Sequence, residues 1–250
     1  LDVAMELGLL NEHNGQYYDR FKSRIMFPIF DKIGHVVGFS GRVFLEGDTH
    51  LGKYVNSPES PIFQKGKLIY HLNDAKLAIR RYNRVLLFEG FLDVISAVEA
   101  GFVESVATMG TALTDDHSRE LRRLTDQIIL CFDGDKAGLA AANKAIPILM
   151  AQNFSVSVVE IPNKMDPDEF IKTHGKEAFS KLIDQAIPAV DYQYRYIKRQ
   201  FNLEFVSHRE QFKRQIYHFA YTLQSHTLQE LILKKLAYDI SIGEQRILQE

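Results

Sequence analysis

Six carboxylates fall into three pairs whose spacing suits cation chemistry: Glu89 with Asp93, Asp133 with Asp135, and Asp166 with Asp168. The pairs follow short apolar runs at 85–88, 128–132 and 156–161. Residues two apart in extended chain point the same way, so Asp133 and Asp135 can face one site. Glu89 and Asp93, four apart across a strand-to-helix turn, can converge as well. Carboxylates gathered at one place repel one another unless a cation sits between them. Oxygen-only donor sets select hard ions, Mg²⁺ or Mn²⁺. Such ions serve phosphoryl transfer by neutralising charge on the attacking and leaving oxygens. Gly90 and Gly134 let backbone or phosphate approach closely. The competing reading is that each acid only caps a helix or closes a turn. Asp166-Pro167-Asp168, taken alone, fits a turn opening the next helix. Three acidic positions at successive strand ends weigh against capping alone.

The elements that must position these acids read as a strict alternation. Strands are expected at 85–88, 105–108, 128–132 and 156–161, with helices at 93–100, 115–124 and 136–152, the last kinked at Pro147. Alternating helices and wholly apolar strands imply a parallel sheet covered on both faces. Ligands of such sheets bind beyond the carboxyl ends of the strands, where the acids sit. The zone before Asn83 is rich in turns. Residues 24–30 and 35–39 read as two strands joined by the turn Asp31–Gly34, with Pro28 confining the first to an edge. Asn56-Ser57-Pro58 and Lys65-Gly66-Lys67 mark loops. Residues 1–10 suggest a short helix. From about Lys176 the pattern is helical, and Ser207/Glu210, Thr227/Glu230 and Ser241/Glu244 have capping-box spacing for helices starting near 208, 228 and 242.

With 30 Lys and Arg against 32 Asp and Glu, the net charge is −2, which argues against one large basic face for duplex DNA. A basic zone is nevertheless read from Arg20, Lys22, Arg24, Lys32, Arg42, Lys53, Lys65 and Lys67, which all precede residue 70. Glycine-flanked loops carrying Lys53-Tyr54 and Lys65 can cradle phosphate, and Arg42 can make a bidentate phosphate contact. Arg20, Lys22 and Arg24 alternate as on one strand, either a row tracking single-stranded template or a solvated face. Tyr17, Tyr18 and Phe21 read as base-stacking groups or as core. A lone cysteine, Cys131, makes neither an internal disulfide nor a Cys-rich zinc site, and its apolar setting reads as core. None of the nine histidines has metal-pair spacing, and Tyr192, Tyr194 and Tyr196 read as packing. No apolar run nears the ~20 residues that span a bilayer. With no signal-like start, a cytoplasmic protein without a membrane partner is expected. A first residue Leu1 inside helical patterning suggests a piece of a longer protein.

Glu89-Gly90 after an apolar strand, with Asp133-Gly134-Asp135 about forty residues later, resembles the Toprim module shared by primases, topoisomerases and some nucleases. The strings Glu89-Gly90-Phe91-Leu92-Asp93-Val94, Asp133-Gly134-Asp135-Lys136-Ala137-Gly138 and Asp166-Pro167-Asp168-Glu169-Phe170 are similar to the version in bacterial replicative primases, the DnaG family. The stretch from Tyr18 to Ile29, then Gly38-Phe39-Ser40-Gly41-Arg42-Val43, Lys53-Tyr54-Val55-Asn56-Ser57-Pro58-Glu59 and Phe63-Gln64-Lys65-Gly66-Lys67, follow in that family's order. The resemblance covers roughly residues 15–185.

It implies an α/β fold: a Toprim-type parallel sheet with flanking helices in a metal-binding catalytic subdomain (84–175), a mixed α+β N-terminal subdomain (1–83) and a helical subdomain (176–250). It implies catalytic and metal roles for Glu89, Asp133 and Asp135, with Asp93, Asp166 and Asp168 completing the metal set. Nucleotide contacts would come from Arg42, Lys53, Tyr54, Asn56 and Lys65, and template contacts from Arg20, Lys22 and Arg24. The implied activity is synthesis of short RNA primers on single-stranded DNA from ribonucleoside triphosphates, with Mg²⁺ or Mn²⁺ and guanine alarmones as inhibitors. The family's zinc module is not in this sequence, and the replicative helicase would be met through a domain also outside it. The alternative is a Toprim topoisomerase or nuclease, but nothing here identifies a topoisomerase's tyrosine nucleophile. A non-catalytic scaffold would be expected to have lost acids, and none is lost. Haloacid-dehalogenase-type phosphatases and receiver domains also place acids at strand ends, but an acidic block in mid-chain behind a basic zone fits them poorly.

Overall fold

A computed structural model describes residues 1–44, 52, 54–241 and 247. The chain divides into two compact units, Leu1–Ala186 and Ile187–Glu250. The turn-rich and alternating zones lie in the first unit, and Gly175, with φ 82°, kinks the helical run 167–184 where the boundary between the second and third zones is expected.

That unit opens with α1 (Asp2–Glu6) and a hairpin of β1 (Leu10–His13) and β2 (Gln16–Asp19). Next comes a three-stranded antiparallel sheet of β3 (Arg24–Phe30), β4 (Val36–Val43) and β5 (Tyr54–Asn56), in that order. β3 lies at the edge, where Pro28 has no need to donate to a second neighbour. The Asp31 carboxylate closes the β3–β4 turn by accepting from the backbones of Ile33 and His35, both at 2.9 Å.

The main sheet follows from the apolar strands. β6 (Ile69–Tyr70) and α2 (Leu72–Tyr82) lead into β7 (Val85–Phe88), α3 (Phe91–Glu99), β8 (Ser105–Thr108) and α4 (Asp115–Arg122). β9 (Gln127–Leu130), α5 (Lys136–Ala151), β10 (Ser155–Val158) and α6 (Pro167–Asp184) complete the unit. These strands run in the order β10-β9-β7-β8-β6, parallel except for β6, which pairs antiparallel at the edge. All four residues of β7 are buried, as a strand covered on both faces requires. α3 and α6 pack together, and Val94, Ala97, Phe170 and Phe179 meet Leu86 and Phe88 in one core. Cys131 is fully buried beside them, where burial raises its thiol pKa. α5 runs through Pro147 as one helix.

In the second unit, α7 (Ala189–Lys198), α8 (Val206–Thr222) and α9 (His226–Ile240) pack through Tyr194 against Phe212. Tyr192 and Tyr194 are buried as packing residues, and Tyr194 donates to Asp239 at 2.7 Å. Two capping expectations are corrected. α8 starts after Phe205 with no side-chain cap, so Ser207 lies inside it, and α9 is capped by Ser225, which accepts from Leu228, not by Thr227. Ser241 ends α9 in a left-handed conformation, and the helix expected near 242 lies outside the described residues. No described helix is long and apolar enough to cross a membrane.

Candidate active site

The acids meet because β7 and β9 are neighbours although β8 lies between them in sequence. Leu87 sits opposite Leu130 and its carbonyl accepts from Cys131 at 2.8 Å, so the next residues emerge side by side. Asp133 N–H then points to Glu89 Oε1 at 3.4 Å. The connection from β10 to α6 is drawn onto the end of β9, where Gly134 N–H donates to Met165 O at 2.9 Å. Gly134 is needed for this approach: a Cβ there would lie 2.3 Å from the Ile161 carbonyl oxygen. At Gly138 a Cβ would lie 2.2 Å from the Asp133 carbonyl oxygen, so the first turn of α5 also presses on the site.

Capping and clustering prove compatible. Asp135 Oδ1 accepts from Gly138 N–H at 2.8 Å and caps α5, while Asp166 Oδ1 accepts from Glu169 N–H at 2.7 Å and caps α6. Asp93, on the first turn of α3, accepts from Asp168 N–H at 3.1 Å and ties α3 to α6. The Asp168 carboxylate is turned to the Ser96 hydroxyl and to Lys172, 2.7 Å away. Burial, joined by the charges of Asp133 and Asp135, pushes the Glu89 carboxyl up to about 7. Burial also pushes Asp93 up to about 7, against the opposing Asp168 N–H bond and with help from Asp133, Asp166 and Asp168. Asp133 is raised by burial and by Asp166 and Asp135. All six acids therefore share one electrostatic neighbourhood.

Among the described residues no three His, Cys, Asp or Glu side chains are drawn together as a ready-made metal cage. The donor set still fits a hard cation. It consists of oxygens, three of its members are destabilised by burial and mutual repulsion, and the two caps use only one oxygen each. A divalent ion would offset that repulsion.

The expected nucleotide residues approach from the three-stranded sheet. Arg42 and Tyr54 are cross-strand partners, with the guanidinium carbon 5.7 Å from the ring centroid. Tyr54 also meets Phe91 edge-on at 5.9 Å; burial raises its hydroxyl pKa, Arg42 opposes this, and Asp168, Asp93 and Asp166 add to it. Asn56 Oδ1 is buried without a hydrogen-bond partner. Lys65 sits on a loop whose backbone N–H donates to Glu59 at 3.1 Å. Lys53 lies outside the described residues.

The basic row is not formed. β2 ends at Asp19 and β3 begins at Arg24, with Ser23 in a left-handed turn, so Arg20, Lys22 and Arg24 do not share a strand. Arg20 donates to Asn56 O at 3.2 Å and Arg24 to Gly41 O at 3.1 Å, leaving Lys22 as the exposed member. Phe21 is core, whereas Tyr17 and Tyr18 are exposed.

Three supporting residues escaped the sequence reading. Phe91 gathers Phe27, Tyr54 and Tyr70 within 4.9–5.9 Å of its ring. Thr114 donates its hydroxyl to Gly66 O at 2.7 Å, and the buried His117 ring donates from Nε2 to Lys65 O at 2.9 Å. Thr114 and His117 also form the capping box of α4, so the available signal was Thr114 standing three residues ahead of His117.

An acidic carboxyl edge on this sheet defines a Toprim-like module, and residues 86–171 match the family so described. Residues 1–76 match the DNA primase catalytic core, N-terminal domain. The chain is 42% identical over 244 residues to a DNA primase of Geobacillus stearothermophilus, covering 97% of this chain and 40% of that protein. Among solved structures, a DnaG primase catalytic domain bound to ssDNA superposes with a TM-score of 0.82 at 33% identity, covering 98% of this chain and 77% of that one. A DNA primase domain from Pseudomonas aeruginosa gives 0.81 at 31% identity, with 99% and 78% covered. The chain belongs to the DnaG primase catalytic-core family. It spans about 40% of the length of the curated relatives it matches.

Proposed function

We propose that this chain joins ribonucleotides on a single-stranded DNA template, making short RNA primers by metal-dependent nucleotidyl transfer. The observation that carries the reading is the adjacency of Glu89 and Asp133 at the carboxyl edge of β7 and β9, inside a complete set of six acids. Family membership and a relative solved with ssDNA support the choice of template. Glu89, Asp133 and Asp135 hold the cation, with Asp93, Asp166 and Asp168 completing the field. Bound there, Mg²⁺ or Mn²⁺ would neutralise charge on the attacking and leaving oxygens.

In the reaction the 3′-oxygen of one nucleotide bonds to the α-phosphorus of the next. The bond from that phosphorus to its bridging oxygen breaks, pyrophosphate leaves with the electron pair, and the hydroxyl proton passes to water. Arg42, Lys65 and Lys53 orient the triphosphate. Tyr54 fixes the Arg42 guanidinium by stacking, and Asn56 Oδ1 offers its unused acceptor to a nucleotide donor. Residues 1–83 thus serve nucleotide and template binding, 84–175 the chemistry, and 176–250 a helical support. Guanine alarmones would compete at the triphosphate site, because phosphate contacts carry little base information. The setting is the cytoplasm, with the replicative helicase met through another part of the protein.

The test is synthesis of labelled RNA on a single-stranded template with Mg²⁺ or Mn²⁺. Products that depend on template and metal are expected. Template cleavage without RNA would support the nuclease reading instead.

A further inference from the structure

Nucleotidyl transfer needs two nucleotides, one bringing the triphosphate and one the hydroxyl, and Arg42 with Tyr54 addresses only the first. A second opening reaches the acids elsewhere. From β7 the chain crosses through α3 to β8, whereas from β9 it crosses in the other direction through α5 to β10. The crevice above β7 and β9 is therefore a topological switch point, the place where open parallel sheets take ligands. A cleft of about 500 Å³ lies there, with Glu89 in its lining. That volume falls in the ordinary range for a small-molecule site.

Its walls are chemically simple. One is a face of α5 made of Ala137, Ala140, Ala141 and Ala145, and the other is the loop between β8 and α4, Gly110 to Leu113. Ala137, Ala140 and Ala141, three and four apart, leave a flat apolar surface along the first turns of α5, and Lys144 and Ile148 project from the same face further on. Two such walls make a slot suited to a planar ring. The polar groups are few and stand apart. Glu89 is one, and Lys144, exposed and without an ion-pair partner among the described residues, is another. Seven residues of helix separate Lys144 from Ala137, about 10 Å along α5. Thr111 Oγ1, on the loop wall, is buried with no hydrogen-bond partner.

We propose that this cleft seats the ribonucleotide whose 3′-hydroxyl is extended. Its base lies in the slot against the alanine face of α5, its 5′-phosphate reaches Lys144, and its hydroxyl lies toward Glu89. Thr111 then finds a partner on the polar edge of the base. The placement suits an in-line displacement, because Tyr54 stands beside Phe91 at the start of α3 while the cleft opens along α5. Attacking and leaving oxygens thus come from different sides of the acid cluster. This assignment rests on the nucleotidyl-transfer reading.

The test uses Ala141→Leu, which fills the slot, and Lys144→Glu, which reverses its one cation. Extension of a short RNA primer on a DNA template is measured while primed template and incoming nucleotide are varied separately. The KM for primed template should rise by about tenfold in each variant, with the KM for incoming nucleotide changed by less than about twofold. Guanosine 5′-monophosphate, which has a hydroxyl but no triphosphate, should perturb the α5 resonances of the unaltered chain and lose that effect in Lys144→Glu. Thermal unfolding certifies that both variants fold; should Ala141→Leu fail, the exposed Lys144→Glu decides alone. An active unaltered chain whose variants keep their KM for primed template, or whose two KM values rise together, overturns the assignment. An unaltered chain that makes no RNA with any primer overturns the nucleotidyl-transfer reading, whereas monophosphate binding still reports on the cleft.

Discussion

Glu89, half-buried, and Asp93, buried, hold carboxylates beside other carboxylates, an arrangement that costs stability unless something else uses it. Removing the charge at Glu89 should relieve repulsion. Glu89→Gln keeps an acceptor for Asp133 N–H, so its melting temperature is expected to equal or exceed that of the unaltered chain while nucleotide joining is lost. Thermal unfolding beside a primer-synthesis assay checks this, and a fully active Glu89→Gln variant contradicts the metal role. Asp135 has two duties that can be separated. As the cap of α5 it accepts from Gly138, and Asn caps nearly as well as Asp, whereas Ala costs about 1 kcal/mol. Asp135→Asn should therefore retain stability and Asp135→Ala lose it, while both weaken Mn²⁺ binding in a titration. If the Asn variant binds Mn²⁺ normally, Asp135 is a cap alone.

Among the secondary elements, α4 matters for a reason its own sequence hides. His117 accepts from Thr114 N–H at Nδ1 and donates from Nε2 to Lys65 O, a pattern only the neutral ring can make. Burial holds its pKa below the ordinary 6.5, outweighing the backbone carbonyls of Lys65 and Leu68 and the charge of Asp116, which act to raise it. The unfolded chain therefore binds more protons below that value. The stability His117 contributes is full above pH 6.5 and is lost as pH falls toward its folded value. In His117→Gln, which keeps a donor for Lys65 O, the unfolding free energy should vary less between pH 7 and 5. The raised carboxylates act in the opposite sense in both proteins, so the difference between the two curves isolates His117. Identical curves would show that the latch on the Lys65 loop does not titrate.

For the molecule as a whole, 250 residues carry a net charge of only −2, so no large excess of basic side chains is available to bind phosphate. On the proposed function, a short set of phosphate contacts would make template binding weak and dependent on released counterions. For a single strand log K falls with log salt by roughly 0.7 per neutralised phosphate. Affinity for a fluorescent single-stranded oligonucleotide should fall steeply between low and moderate salt, and templates differing only in the start trinucleotide should bind and prime alike. Tight binding that ignores salt, or strong start-site selectivity, would mean that these residues include a sequence reader of their own.

The strands and the acids that follow them were legible along the chain, because an apolar run ending in a carboxylate is a local pattern and local sterics suffice to make it a strand. So was the edge position of β3, which Pro28 dictates, and the packing role of Tyr192 and Tyr194. Which strands become neighbours was not. Glu89 and Asp133 stand 44 positions apart, and only the crossover that places β9 beside β7 brings them together. The row of Arg20, Lys22 and Arg24 failed because the left-handed turn at Ser23 divides it, a backbone choice that side-chain alternation does not report. Capping was read as a rival of metal binding, yet the fold gives Asp135 and Asp166 both an N–H partner and a place in the cluster. Residue types determined the chemistry available to this chain, because donor atoms and charge belong to the side chains themselves. Tertiary structure decided which donors meet, since register, crossover direction and the close approach at Gly134 depend on contacts between distant residues.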